Sequence, residues 1–143
     1  MLVSTKGRYA LRVLVDLAEH QSDTCVPLKE VADRQEISEK YLEAIIKELV
    51  KGGVLVGVRG KGGGYRLSKS PNYLSVFDIL RLMEGSLSPV SCLEANSAPC
   101  ARMSECRTLP LWQELNSVIE DCLKRYTIAD LMRVELPGND YII

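Results

Sequence analysis

The stretch Val54-Leu-Val-Gly-Val-Arg-Gly-Lys-Gly-Gly-Gly-Tyr-Arg-Leu67 decides how the rest of the chain is read. Two short alternating runs, Val54 to Val58 and Tyr65 to Leu67, flank a tip made of Gly60, Gly62, Gly63 and Gly64, the pattern of a β-hairpin with a glycine-rich turn. From Gly52 to Ser70 the chain carries Arg59, Lys61, Arg66 and Lys69 and no Asp or Glu. A backbone-exposing basic loop of this kind is offered to an anion, and phosphate is the first candidate.

Upstream of the hairpin the periodicity is helical. Tyr9, Ala10, Val13, Leu14, Leu17 and Ala18 mark one face of an amphipathic helix from about Ser4 to Glu19, with Ser4 or Thr5 as its cap. Lys6, Arg8 and Arg12 stand near its start, where the helix dipole favours acids; they are either offset by an external anion or simply solvated. His20, at the end of this helix, reads as a solvated terminal histidine, and Cys25 as structural or incidental.

Pro27 opens a short helix, Leu28 to Arg34 or Gln35, and Glu36-Ile37 make a tight link. Ser38 then caps a helix from Glu39 to Lys51, whose apolar stripe of Tyr41, Leu42, Ile45, Ile46, Leu49 and Val50 stops at Gly52-Gly53. Two helices on a short turn make a helix-turn-helix. The second of them enters a DNA major groove by its N-terminal part, so Ser38, Glu39, Lys40, Tyr41, Glu43 and Ala44 are placed to meet phosphates or base edges. Glu43 has two readings, acceptor of a cytosine amine or i,i+4 surface partner of Lys47. Three helices followed by a basic hairpin are the order of a winged helix, with Arg59, Gly60 and Lys61 at the tip of the wing. Arginine is the residue favoured by a narrow minor groove, which makes Arg59 the principal contact there.

Charge distribution agrees with this division. Residues 1–70 hold 12 Lys+Arg against 9 Asp+Glu, a net +3, whereas residues 71–143 hold 6 against 10, a net −4. The overall −1 therefore conceals a basic N-terminal half. With 143 residues, 46% of them hydrophobic, the chain suits one globular domain with an extension. The longest uncharged run, Gly85 to Leu93, is too short to span a membrane, and no secretory signal precedes Arg8, so a cytoplasmic protein is expected. One histidine, no C-x-x-C and no nucleophile–base signature argue against an enzyme, and no catalytic residue is assigned.

Ser75 and Asp78 are expected to cap a packing helix, Val76 to Glu84, with Gly85 as its stop. Three of the five cysteines follow in a loop rich in Ser, Pro and Ala: Cys92, Cys100 and Cys106. Their separations of seven and five residues do not match zinc-ribbon spacing. Three thiolates nevertheless suit an iron–sulfur cluster, zinc or copper(I), with one position left over. Pro110 starts a long helix of roughly sixteen residues with a seam of Leu111, Trp112, Leu115, Val118, Ile119, Cys122, Leu123 and Tyr126, expected to join two subunits in a homodimer. Thr127 and Asp130 cap a last helix, Ile128 to about Arg133, and the remainder is a tail.

Taken together, Ser4-Thr-Lys-Gly-Arg-Tyr-Ala10, Ile37-Ser-Glu-Lys-Tyr-Leu-Glu43 and Val58-Arg-Gly-Lys-Gly-Gly-Gly-Tyr65 resemble the Rrf-type winged-helix transcription regulators, and in particular their IscR-like members. The resemblance extends to about Arg133. It implies a homodimer on a double-stranded DNA operator, with target genes in cluster assembly or in iron, cysteine or nitric-oxide metabolism. It also implies an iron–sulfur cluster, two-iron or four-iron, on the three positions matched by Cys92, Cys100 and Cys106. The fourth ligand does not carry over, because the histidine of IscR-like sequences falls on Leu109 and the N-terminal aspartate of some nitric-oxide sensors falls on Arg8. Glu94, Glu105, a partner-subunit residue or an exogenous thiol or water then fills that place. The alternative is a thiol-redox or zinc-binding winged-helix protein. The expected architecture is mainly α with a small hairpin: a winged helix-turn-helix domain over residues 1–85, the cysteine loop over 86–109, a dimerisation helix and short terminal helix over 110–135, and a tail over 136–143.

Overall fold

Ser4 sets the first helix in place. Its hydroxyl accepts the amide of Gly7 at 3.1 Å, and α1 runs from Thr5 to His20. Ala10, Val13, Leu14 and Leu17 are fully buried along one face, and α1 packs against four other helices and the second strand, so it is the centre of the molecule. The computed structural model describes residues 3–134, and the tail expected over 136–143 lies outside the described residues.

Pro27 stands at the cap of α2 (Leu28–Gln35) rather than inside it. The helix ends on Glu36, whose left-handed φ of 56° turns the chain sharply and buries Ile37. Ser38 accepts the amide of Tyr41 at 3.2 Å, and α3 spans Glu39–Lys51 as expected. Leu42, Ile45, Ile46 and Leu49 are buried, and truncating any one to alanine should cost about 2–5 kcal/mol. The stripe is narrower than the sequence suggests, because Tyr41 and Val50 at its edges are exposed.

Strands β1 (Leu55–Val58) and β2 (Gly64–Leu67) pair antiparallel, with Leu55 opposite Leu67 and Val58 opposite Gly64. The alternation puts Leu55 and Leu67 in the core and leaves Val58 and Arg66 outside. A second attachment comes from Val26, which exchanges two main-chain hydrogen bonds with Tyr65, at 2.9 and 2.8 Å. Gly64 makes this possible: its φ is +146°, and a Cβ there would collide with the Val26 carbonyl and lie 2.8 Å from the nitrogen of Pro27.

Helix α4 (Val76–Glu84) ends at Gly85 as expected, but the cap pair expected of Ser75 and Asp78 does not form. Ser75 instead pairs as a short bridge with Thr127, and the amide of Val76 donates to the carbonyl of Tyr126, so main chain satisfies the helix start. Thr127 and Asp130 do form a full capping box at the start of α6 (Ile128–Met132). Between them α5 covers Leu109–Lys124, with Pro110 in its first turn. A second apolar cluster of Val76, Phe77, Leu80 and Leu87, joined by Leu11, Leu123 and Leu131, seats α4 and the end of α5 beside the main core.

Candidate nucleic-acid interface and cysteine loop

All nine residues proposed to meet DNA are on the surface: Ser38, Glu39, Lys40, Tyr41, Glu43 and Ala44 on the cap and first turns of α3, and Arg59, Gly60 and Lys61 at the tip of the wing. Glu43, Ile46, Lys47 and Val50 face Val58, Arg59 and Gly60 across a groove of about 690 Å³, floored by Pro27, Leu28 and Tyr65. Lys40, Lys47, Arg59, Lys61 and Arg66 form no ion pair among the described residues. Glu43 and Lys47 thus do not neutralise each other. Lys47 on one bank of the groove and Arg59 on the other, without an ion-pair partner among the described residues, are an electrostatic match to a polyanion.

Behind the recognition helix stands a polar network that the sequence reading missed. Asp16 is buried, with 2% of its surface exposed, on the same face of α1 as Val13 and Leu17. Arg34 grips it with Nη2 at 2.8 Å and Nε at 3.0 Å, and Gln35 adds a bond at 2.9 Å. Burial alone, the largest influence, would raise the Asp16 pKa; the hydrogen bonds from Arg34 and Gln35 and the Arg34 charge together outweigh it and hold the carboxyl below its ordinary range. Arg12 continues the network, donating to both the carbonyl and the side chain of Gln35 while its guanidinium lies over the Tyr9 ring at 4.9 Å. Tyr9 in turn meets Tyr41 edge-on, ring centres 5.8 Å apart. The turn from α2 into α3 is therefore fixed from α1. A charged residue on an otherwise apolar helix face was the available signal.

The cations at the start of α1 also bond within the protein. Lys6 pairs with Glu48 of α3 at 3.1 Å, and Arg8 bonds Thr5 at 3.0 Å. Lys6 thus finds its anion inside the protein, whereas Arg8 and Arg12 are exposed and bond neutral groups, so their charges remain open to solvent. Glu84, the last residue of α4, accepts from the amide and hydroxyl of Ser4 at 3.0 and 2.6 Å. A side chain on Gly7 would strike that carboxylate, so glycine is needed here for close approach.

The cysteine loop begins just past Gly85, the residue that ends α4. Cys92 lies half-buried in a 3₁₀ turn (Ser91–Leu93), Cys100 is exposed, and Cys106 is half-buried just after a second such turn (Met103–Glu105). All three are free thiols, and among the described residues no three His, Cys, Asp or Glu side chains converge closely enough to hold a metal ion. Cys106 differs from the others in its surroundings. The hydroxyl of Thr108 at 3.4 Å, the amides of Thr108 and Leu109 at the start of α5, and the charge of Arg102 pull its pKa below the ordinary thiol value, against a smaller opposing effect of burial. By donor chemistry three unpaired thiols, one of them predisposed to thiolate, fit a thiolate-bound inorganic centre; a change in the loop must bring them to one point. Glu94 and Glu105 are both exposed on the same loop, and Leu109 brings no ligand.

Among the described residues no helix is long and apolar enough to cross a membrane. A family model described as "Iron-dependent Transcriptional regulator", Rrf2, matches residues 3–134. The protein rrf2 of Nitratidesulfovibrio vulgaris is 39% identical over 133 residues, which are 93% of this chain and 88% of that protein. The HTH-type transcriptional regulator IscR of Photobacterium profundum is 38% identical over 133 residues, 93% of this chain and 76% of its own. Among solved structures, CymR, the global cysteine regulator of B. subtilis, superposes with a TM-score of 0.74 at 33% identity, over 92% of this chain and 96% of that one.

Proposed function

The chain belongs to the Rrf2 family of transcriptional regulators, and from that premise we propose a homodimeric cytoplasmic regulator whose grip on a double-stranded operator is set by an iron–sulfur cluster held on Cys92, Cys100 and Cys106. The observation that carries the DNA half is the groove between α3 and the wing, banked by Lys47 and Arg59, which have no ion-pair partner among the described residues. Lys40, Lys47 and Lys61 would neutralise phosphates, Glu43 and Tyr41 would face base edges, and Arg59 would read the adjacent minor groove. A two-fold dimer calls for a pseudo-palindromic operator with half-sites about one helical turn apart.

Cys92, Cys100 and Cys106 would supply three ligands, Cys106 most readily because its surroundings already favour the thiolate. When bound, such a cluster supplies a labile, oxidant-sensitive link among three loop positions. The loop joins Gly85, at the end of α4, to Thr108, at the start of α5, so its conformation acts on both helices. Glu84 ties that junction to Ser4, and Lys6 ties the same turn of α1 to Glu48 of α3. A ligand of the loop changes operator binding only by the difference between its affinities for the two arrangements.

A second reading, thiol-based control without a cluster, is favoured by the Thr108 hydroxyl and the amides that pull the Cys106 thiol below its ordinary pKa, and by the likeness to a cysteine regulator. One experiment separates them: visible absorption with iron and sulfide counts on protein isolated without oxygen, then operator binding with and without the chromophore. The cluster reading expects absorbance that Cys100→Ala abolishes while the fold persists. Colourless protein whose operator affinity follows reversible thiol oxidation would establish the second reading instead, and equal affinity in every state would remove regulation through this loop.

A further inference from the structure

A cleft of about 320 Å³ opens between α4, α5 and the first part of the cysteine loop. Small-molecule sites span about 300–1,000 Å³, so a cleft of this size suits a ligand as small as an amino acid. Phe77 and Arg81 stand one turn apart on α4, Asn116 and Glu120 one turn apart on α5, and Leu93 to Asn96 form the third wall from the loop. Phe77 and Leu87 are buried and Leu93 is half-buried, which gives the cleft an apolar surface beside its polar groups. It is separate from the seam expected to join two subunits. At about 3.6 residues per turn, Asn116 and Glu120 fall on the side of α5 opposite Leu111, Leu115 and Val118.

The charges of the cleft select among ligands. Glu120 is already paired with Lys124 at 3.4 Å, and Lys124 lies over the Phe77 ring at 4.7 Å. Arg81, Glu94, Asn96 and Asn116 form no ion pair and no side-chain hydrogen bond among the described residues. One cation on α4 and one anion on the loop are therefore left with their full bonding capacity, together with two amides. A plain carboxylate or phosphate would meet Glu94, and a plain amine would meet Arg81. A zwitterion satisfies both. We propose that this cleft binds a small apolar α-amino acid, with its carboxylate on Arg81 and Asn116, its ammonium on Glu94 and Asn96, and its side chain against Phe77, Leu87 and Leu93. Leu93 to Asn96 follow Cys92 directly, so an occupant ties the loop to α4 and α5 at that point. The inference does not draw on the cluster; it adds a second input to the same loop.

Calorimetric titration of the full chain with L-leucine, L-methionine and L-phenylalanine tests the site. At least one of them should bind once per chain, saturating in the millimolar range or below. For that amino acid, the amide, which lacks the carboxylate, and the N-acetyl form, which lacks the ammonium, should each bind about tenfold more weakly or worse. Arg81→Gln and Glu94→Gln alter exposed side chains, so circular dichroism should be unchanged while each weakens binding by about tenfold. No saturable heat with any of the three would overturn the proposal. So would equal binding of the amino acid and both derivatives, or wild-type affinity in both variants. Iron and sulfide counts on the same samples keep the two proposals apart. Colourless protein that binds the amino acid leaves this inference standing without the cluster, and cluster-loaded protein that binds none of the three overturns this inference alone.

Discussion

Removing Arg34 should destabilise the protein more than removing Asp16 at neutral pH, and acid should narrow the gap between the Arg34 variant and wild type. Arg34→Ala leaves a carboxylate at 1% side-chain exposure with Gln35 as its remaining strong partner, and breaking a buried pair in this way costs about 3–5 kcal/mol near neutral pH. Asp16→Ala leaves Arg34, whose side chain is 32% exposed and can return to water, so the loss should be smaller, about 2 kcal/mol, chiefly the charged hydrogen bonds. The pH dependence follows from the same contacts. In the wild-type protein the folded Asp16 pKa is depressed, so its contribution is present above the unfolded value of about 3.9 and is lost as pH falls through the folded value. Without Arg34, burial loses its main opponent and the folded pKa should move up from its wild-type position, with Gln35 and His20 still opposing it. The variant's folded state then takes up its proton at a higher pH than wild type does, and acidification should recover stability relative to wild type. Urea denaturation at several pH values from neutrality down to about pH 2 covers both the rise expected of the variant and the wild-type loss below about pH 3.9. If Arg34→Ala lost ground to wild type on acidification, or cost less than Asp16→Ala at neutral pH, the account of Asp16 as a buried charge held by Arg34 would be wrong.

Three further outcomes are expected. Gly64→Ala should lower stability by about 2–4 kcal/mol, from positive-φ strain and loss of the Val26–Tyr65 pair, and should weaken operator binding; unchanged melting would show that the wing does not depend on that bridge. Lys61→Ala should reduce the salt-dependence slope of operator binding by about one with affinity falling evenly across sequences. Arg59→Ala should in addition erase preference among operators differing in minor-groove width, and equal discrimination by both variants in a competition assay would contradict the distinction. Thr127→Ala removes one side of the α6 capping box and should cost about 1 kcal/mol in thermal denaturation, whereas Ser75→Ala, with no cap bond to lose, should cost less.

Some of these features were legible in one dimension. Ser38, the stripe behind it and Gly52 bounded α3 correctly at both ends, because caps and periodicity act within a few residues. The hairpin shifted by one residue at each strand start, Leu55 for Val54 and Gly64 for Tyr65, since pairing with the opposite strand decides where a strand begins. Ser75 carries the same local signature as Thr127, yet its side chain makes no cap bond; its backbone is bridged to Thr127, and Tyr126, fifty-one residues from Ser75, takes the first helix amide, a contact no local pattern announces.

By itself, then, the sequence determined the helix order, the basic wing and the presence of three thiols in one loop, all products of short-range chemistry. Tertiary structure alone decided that Asp16 is buried with Arg34 and Gln35, that Lys6 and Arg12 are engaged within the protein while Lys40, Lys47, Arg59 and Lys61 remain available, and that the three cysteines do not converge among the described residues. The physical reason is common to these cases. The state of a charge or a thiol depends on which groups from distant segments share its surroundings, and that is settled only when α1 packs against α2, α3 and α4.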